Sequence, residues 1–306
     1  MTICLISHPD CALHEMGAHH PECPERLGSI QNQLITSGLD YVLLHHEAPL
    51  ASREQLYRVH DTDYVEQIFQ KAPEFDRAWL DPDTSMNPHS LGAALHAAGA
   101  AVQAVDLVMS GQSSAAFCNV RPPGHHAEHN AAMGFCIFNN VAVGAAHAMQ
   151  AHQLKRVAIV DFDVHHGNGT EDIFRDNPDV LFCSTFQHPF YPHTGAEMDS
   201  EHTVNVPLSA GADGPAFRSA VEMQWLPRLE AFKPELIFIS AGFDAHLEDD
   251  MGGLGLQEKD YAWVTEEIKK IADRHADGRI VSVLEGGYAL SALGRSVVAH
   301  IKALLG

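Results

Sequence analysis

The sequence predicts a single-domain α/β fold with an open, mainly parallel sheet flanked by helices, and three observations predict it. Short, β-branched, almost wholly apolar runs recur along the 306 residues, as expected of strands buried on both faces. Helical patterns lie between several of these runs, which implies right-handed crossovers joining parallel strands. Each run ends abruptly in a polar segment containing Gly or Pro, and these segments hold nearly all the reactive side chains. In an open parallel sheet, ligands bind beyond the carboxyl ends of the strands.

The strand-like runs are Ile3 to Ser7, Ser114 to Val120, Arg156 to Val160, Val180 to Thr185, Leu236 to Ser240 and Arg279 to Leu284. Helical patterns cover Pro88 to Met109, Phe138 to Ala151, Gly214 to Leu229 and Glu258 to His275. Two irregular sections, Asp10 to Arg26 and Glu248 to Leu256, read as loops over the site. No repeat, low-complexity tract or linker divides the chain, so residues 1–306 form one expected domain.

Lys and Arg number 19 against 40 Asp and Glu, a net charge of −21. Such a surface repels phosphate backbones and excludes direct nucleic-acid binding; it favours cationic partners such as lysine-rich peptides or polyamines. The six cysteines are scattered with no C-x-x-C pair, and read as buried thiols of a reducing compartment. The N-terminus lacks a basic n-region, and no uninterrupted apolar stretch approaches the ~20 residues of a membrane helix. The expectation is a cytoplasmic protein without membrane contact; oligomerisation is left open.

The chemistry concentrates in D-F-D-V-H-H-G-N-G, residues 161–169. Asp161, Asp163 and His165 alternate, so an extended backbone aims all three to one side while Phe162 and Val164 face the packing. Two carboxylates and an imidazole gathered at a strand end call for a cation. A catalytic zinc site takes three protein ligands; Asp163 and His165 supply two, and Asp244, in I-S-A-G-F-D after another apolar run, is the best candidate for the third. In R-P-P-G-H-H, His125 and His126 follow a Pro-Pro-Gly turn suited to presenting two imidazoles for acid/base work. The string His125–His129 matches the zinc-peptidase pattern H-x-x-E-H, but that pattern works on a helix, which Pro122, Pro123 and Gly124 break. Glu285-Gly286-Gly287-Tyr288 follows a further run, and its glycines allow a sharp turn that brings a phenol to the site, a suitable donor to a developing oxyanion.

Together these segments resemble the histone deacetylase and acetylpolyamine amidohydrolase family, whose fold is an arginase-like open α/β domain. The resemblance runs from H-H-P-E-C-P-E-R (His19 to Arg26) through R-P-P-G-H-H, G-F-C-I-F-N-N (Gly134 to Asn140), D-F-D-V-H-H-G-N-G-T and F-Y-P-H-T-G (Phe190 to Gly195) to S-A-G-F-D-A-H and L-E-G-G-Y. It implies Asp163, His165 and Asp244 as ligands of one Zn²⁺, with Fe²⁺ or Co²⁺ able to take its place, and leaves room for a structural K⁺. It implies His126 as general base and then acid, His125 oriented by Asp161 as a stabiliser of charge, and Tyr288 as polariser of the acyl carbonyl. Gly134, Phe135, Tyr191 and Met251 fall at the acyl-lysine channel, and Arg26 at an inner acetate-release cavity. Asn168 stands where class I members carry a second aspartate, a class II-like feature that should help keep His126 neutral.

The activity so implied is hydrolysis of short acyl groups, acetyl first, from lysine side chains of proteins or peptides. Acetylpolyamine hydrolysis is the nearest alternative. Polyamine-selective relatives carry an acidic gatekeeper seven residues beyond the last metal aspartate, and here that position is Met251, although Glu248, Asp249 and Asp250 adjoin it. Weaker alternatives are a two-manganese ureohydrolase, which needs a D-x-D where this chain has Asp244-Ala245-His246, and a module that binds acyl-lysine without cleaving it.

Overall fold

A computed structural model describes residues 2–197 and 200–306. Its strands are β1 (Ile3–Ser7), β2 (Leu44–Glu47), β3 (Ala78–Trp79), β4 (Ser85–Met86), β5 (Ala115–Cys118), β6 (Val157–Asp161), β7 (Val180–Gln187), β8 (Thr203–Leu208), β9 (Leu236–Ala241) and β10 (Ile280–Leu284). Its helices are α1 (Glu25–Thr36), α2 (Arg53–Leu56), α3 (Thr62–Lys71), α4 (Ser90–Met109), α5 (Asn140–Ala151), α6 (Asn168–Phe174), α7 (Gly214–Ala220), α8 (Leu226–Phe232), α9 (Glu258–His275) and α10 (Leu290–Leu305). Eight strands form one sheet in the order β2-β1-β5-β10-β9-β6-β7-β8, with every neighbouring pair parallel. β3 and β4 make a separate antiparallel pair.

The inner strands of the sheet are apolar on both faces because both faces are covered. Alternate residues divide between two cores: Ile159, Phe238 and Val281 join α4 and α5, whereas Ala158, Val160 and Ile237 join α1, α9 and α10. Period-two alternation thus survives inside runs that look uniformly hydrophobic. α4 is long and apolar enough to cross a membrane by composition alone, yet most of it is buried in the first core.

All six runs become strands, with bounds shifted by at most two residues. β2 and β8 carry little apolar signal because they are the sheet's two edges: β2 reads Leu-His-His-Glu and is largely exposed, and β8 tolerates Pro207, as edge strands do. The Asp10 to Arg26 section is not a loop throughout: Pro9–Ala12 is a 3₁₀ turn, and Arg26 already lies in α1. The predicted helix from Gly214 continues past Leu229 to Phe232, with a π-helical turn at Val221–Trp225 separating α7 from α8. Five of the six cysteines are buried, while Cys23 is partly exposed and departs from the expectation.

Candidate active site

The carboxyl ends of β5, β6, β9 and β10 are adjacent in the sheet, so the segments after them meet in one place. β6 delivers Asp161 as its last residue, and Asp163 and His165 follow. β9 delivers Asp244 three residues past its end. Ligand atoms of Asp163, His165 and Asp244 all lie within 4.8 Å of one another. His165 Nδ1 is 3.0 Å from Asp163 Oδ1 and 3.2 Å from Asp244 Oδ2. The backbone anchors the far oxygens: Asp163 Oδ2 accepts from Gly286 N at 2.9 Å, and Asp244 Oδ1 accepts from Val164 N at 2.8 Å.

These three residues fit a divalent cation. Asp244 Oδ2 is buried and, apart from its ion-pair contact with His165 Nδ1, has no hydrogen-bond partner among the described residues, a shortfall that a protein interior rarely tolerates. Burial and then the charge of Asp163 push the Asp244 carboxyl up to about 7, a repulsion that a cation relieves. Close packing keeps the cradle open: a Cβ on Gly242 would fall 2.0 Å from Asp163 Oδ2, and one on Gly286 would fall 2.1 Å from Asp244 Oδ2. Two carboxylates and an imidazole suit Zn²⁺, Fe²⁺ or Co²⁺.

Asp161 stands apart from this set and pairs with His125, whose Nδ1 lies 2.9 Å from Asp161 Oδ2. Burial works against a charge on His125, but Asp161 and Asp163 outweigh it and raise the imidazole to about 10. His126 is its opposite. Burial, followed by the charges of His125 and His165, holds it well below the usual range. His126 Nδ1 bonds Asn168 Oδ1 at 2.7 Å, and this bond acts upward on the imidazole; its neutrality comes from burial and cationic neighbours. The segment 125–129 is turn and coil, not helix. Glu285 Oε2 fixes the turn by accepting from Gly124 N at 2.7 Å and His125 N at 3.0 Å.

Above the donor set opens a cavity of about 280 Å³ lined by His126, Gly134, Phe135, His165, Tyr191, Met251 and Tyr288, together with Asp83, Phe190 and Asp250. Tyr191 meets His126 edge to face with ring centres 5.3 Å apart, and Phe190 stacks on His165 at 5.5 Å. Arg26 is fully buried outside this lining. Its guanidinium lies 5.0 Å from the Tyr288 ring centre, donates to Gly287 O and Glu285 O, and pairs with Glu22. Glu22 also pairs with Arg121, and is held down to about 2 because the two arginines and His14 overcome its burial.

Asp83, Phe190, Glu22 and Arg121 were not singled out by the sequence reading. Asp83 Oδ1 accepts from Gly134 N, and Thr84 Oγ1 accepts from Phe135 N, each at 3.0 Å. The turn entering β4 thereby holds the channel wall. Its one sequence signal is the Asp-Pro-Asp-Thr turn chemistry of residues 81–84. Of the three acids beside Met251, only Asp250 lines the channel; Glu248 pairs with Arg295, and Asp249 is buried.

A parallel sheet that brings an Asp-His-Asp donor set, two differently partnered imidazoles and a phenol to the base of a narrow aromatic channel defines an amidohydrolase-type active site. The comparisons agree: the histone deacetylase domain model matches residues 20–304. The histone deacetylase-like amidohydrolase of Pseudomonas aeruginosa is 39% identical over 89% of this chain and 73% of its own length. The polyamine deacetylase HDAC10 of Mus musculus is 37% identical over the whole chain and 48% of its own length. The crystal structure of the HDA15 HD domain superposes with a TM-score of 0.94 at 36% identity, covering all of this chain and 88% of that one. The chain belongs to the histone deacetylase family, and is a hydrolase of the deacetylase and amidohydrolase type.

Proposed function

We propose that this protein is a zinc-dependent deacylase that removes acetyl or other short acyl groups from lysine side chains of proteins or peptides. The observation that carries the reading is the buried Asp244 Oδ2, short of hydrogen-bond partners, in a three-ligand set beside a neutral imidazole at the base of an aromatic channel. Asp163, His165 and Asp244 would hold the ion, which when bound supplies Lewis acidity towards the acyl carbonyl and towards water.

The chain's own residues supply the rest. The channel seats an extended, apolar acyl-lysine stem between Phe135, Tyr191 and Met251. His126 donates from Nδ1 to Asn168 Oδ1, which leaves Nε2 free to take the proton of the attacking water and hand it to the leaving amine. His125, kept charged by Asp161, lends positive charge to the developing oxyanion, and the Tyr288 phenol donates a hydrogen bond to the same oxygen.

Removing the metal with a chelator should abolish turnover of an acetyl-lysine peptide, and Zn²⁺ should restore it. Tyr288→Phe should bind Zn²⁺ normally and turn over about 100-fold more slowly, the loss typical of one oxyanion donor. Activity that survives metal removal would overturn the metal assignment, and a near-normal Tyr288→Phe would remove the phenol from the reaction.

A second reading, hydrolysis of acetylated polyamines, is favoured by Asp83 and Asp250 in the channel lining and by the relative named as a polyamine deacetylase. Parallel kinetics on N-acetylputrescine decide between them: a strong preference for the polyamine would displace the acyl-lysine reading.

A further inference from the structure

Asp249 is 5% exposed and lies between the two loops that close the channel, but its neighbours Asp250 and Met251 line the cavity while it does not. Its carboxylate is engaged by backbone on both sides. Oδ2 accepts from Tyr288 N at 2.6 Å and from Ala289 N at 2.9 Å; Oδ1 accepts from Met251 N at 3.0 Å. A buried carboxylate bound by three N–H groups makes strong, charge-assisted bonds.

The chain on the Tyr288 side needs such a clamp. Gly286 and Gly287 precede Tyr288, and Gly287 adopts a φ of +121°, so the turn has little stiffness of its own. Phe243 N and Arg26 hold the carbonyls of Gly286 and Gly287. Beyond them, Asp249 engages the N–H groups of Tyr288 and Ala289. Ala289 is also the N-cap of α10 and has no side chain able to cap, so an acid from another loop serves that helix start.

We propose that Asp249 is a positioning residue: it sets the aim of the Tyr288 phenol and joins that aim to the Met251 wall of the channel. The inference rests on the reading of Tyr288 as carbonyl polariser. Losing a group that acts through Tyr288 lowers kcat, leaves KM and metal affinity nearly unchanged, and has no further effect once the phenol is gone.

The experiment is a double-mutant cycle on the zinc-loaded enzyme, using Asp249→Asn and Tyr288→Phe with an acetyl-lysine peptide as substrate. Asp249→Asn should lower kcat about 10-fold or more with KM within about 3-fold of wild type, and should leave Zn²⁺ affinity unchanged. In the Tyr288→Phe background it should cost less than about 2-fold. Asp249→Glu, which keeps the acceptor on a longer stem, should recover part of the loss, and it carries the same cycle if the asparagine variant fails to fold. Equal losses in both backgrounds, an unchanged kcat, or a parallel fall in metal affinity would overturn the inference while leaving the Tyr288 reading intact. A fully active Tyr288→Phe would remove that reading, and the role of Asp249 with it.

Discussion

His125 and His126 are adjacent in sequence, equally buried, and pushed in opposite directions. The difference lies in the charges around them: His125 faces the carboxylates of Asp161 and Asp163, whereas His126, bonded to the Asn168 amide, stands beside His125 and His165. A buried imidazole facing a carboxylate keeps its proton; one facing an amide between two positive neighbours gives it up. The same pocket therefore holds a charged imidazole and a neutral one, and the glycines behind the donor set leave space for the carboxylate oxygens. For Gly286→Ala, a Cβ 2.1 Å from Asp244 Oδ2 and 2.6 Å from Asp163 Oδ2 must displace both carboxylates. The variant should keep its fold and lose roughly 10- to 100-fold in Zn²⁺ affinity, measured by competition with a chromogenic chelator alongside circular dichroism. Unchanged affinity would show that neither carboxylate is a ligand in this conformation. Asp163 and His165 were legible because strand alternation marks them, and Asp244 because it follows another apolar run in a segment that carries the family resemblance. Asp83 and the role of Asp249 were not, because each carboxylate accepts from backbone N–H groups of a loop far away in sequence, and neither was Phe190, whose ring reaches the site by stacking on His165.

The elements that could be read were those with two buried faces. β6, β9 and β10 stand in the middle of the sheet, and their composition carries no alternative; β2 and β8 stand at its edges, where polar residues are tolerated. α10 went unremarked although it is amphipathic, and it holds one of the core's polar contacts. His300, on its buried face, meets Thr265 Oγ1 of α9 at 2.7 Å and Ser282 Oγ of β10 at 2.9 Å. Burial holds its imidazole down to about 3, against about 6.5 in an unfolded chain. Between those values the unfolded chain binds a proton that the folded chain does not, so stability falls as pH drops through 6.5 and is constant above it. His14 and His60, each held down to about 4, act in the same direction. His300→Gln should therefore flatten the dependence of unfolding free energy on pH near pH 5 by about 1.4 kcal/mol per pH unit. Urea denaturation at pH 4.5, 5.0 and 5.5 reads this slope directly. An unchanged slope would mean that His300 is protonated in the folded state.

The whole molecule adds what neither residues nor elements contain, a field. The net charge of −21 surrounds an otherwise aromatic channel, with Asp83 and Asp250 in its lining. On the proposed reading the group that enters the channel is an acyl-lysine, which has lost its own charge, so the field cannot act on it. It acts on what surrounds that group: neighbouring lysines and arginines in a peptide, or the remaining amines of a polyamine. Steering of this kind speeds encounter and is screened over a Debye length of ≈ 10 Å at 0.1 M salt. For an acetyl-lysine peptide with several basic neighbours, kcat/KM should fall several-fold as ionic strength rises from about 0.05 to 0.5 M. The same change should barely alter kcat/KM for a neutral acetyl-lysine amide, which meets the same channel without a charge to be steered. Asp250→Asn should reduce the salt dependence for the basic peptide and leave the neutral substrate unaffected. If both substrates respond to salt alike, the charge serves solubility alone, and substrate choice rests on the fit of the channel between Phe135, Tyr191 and Met251.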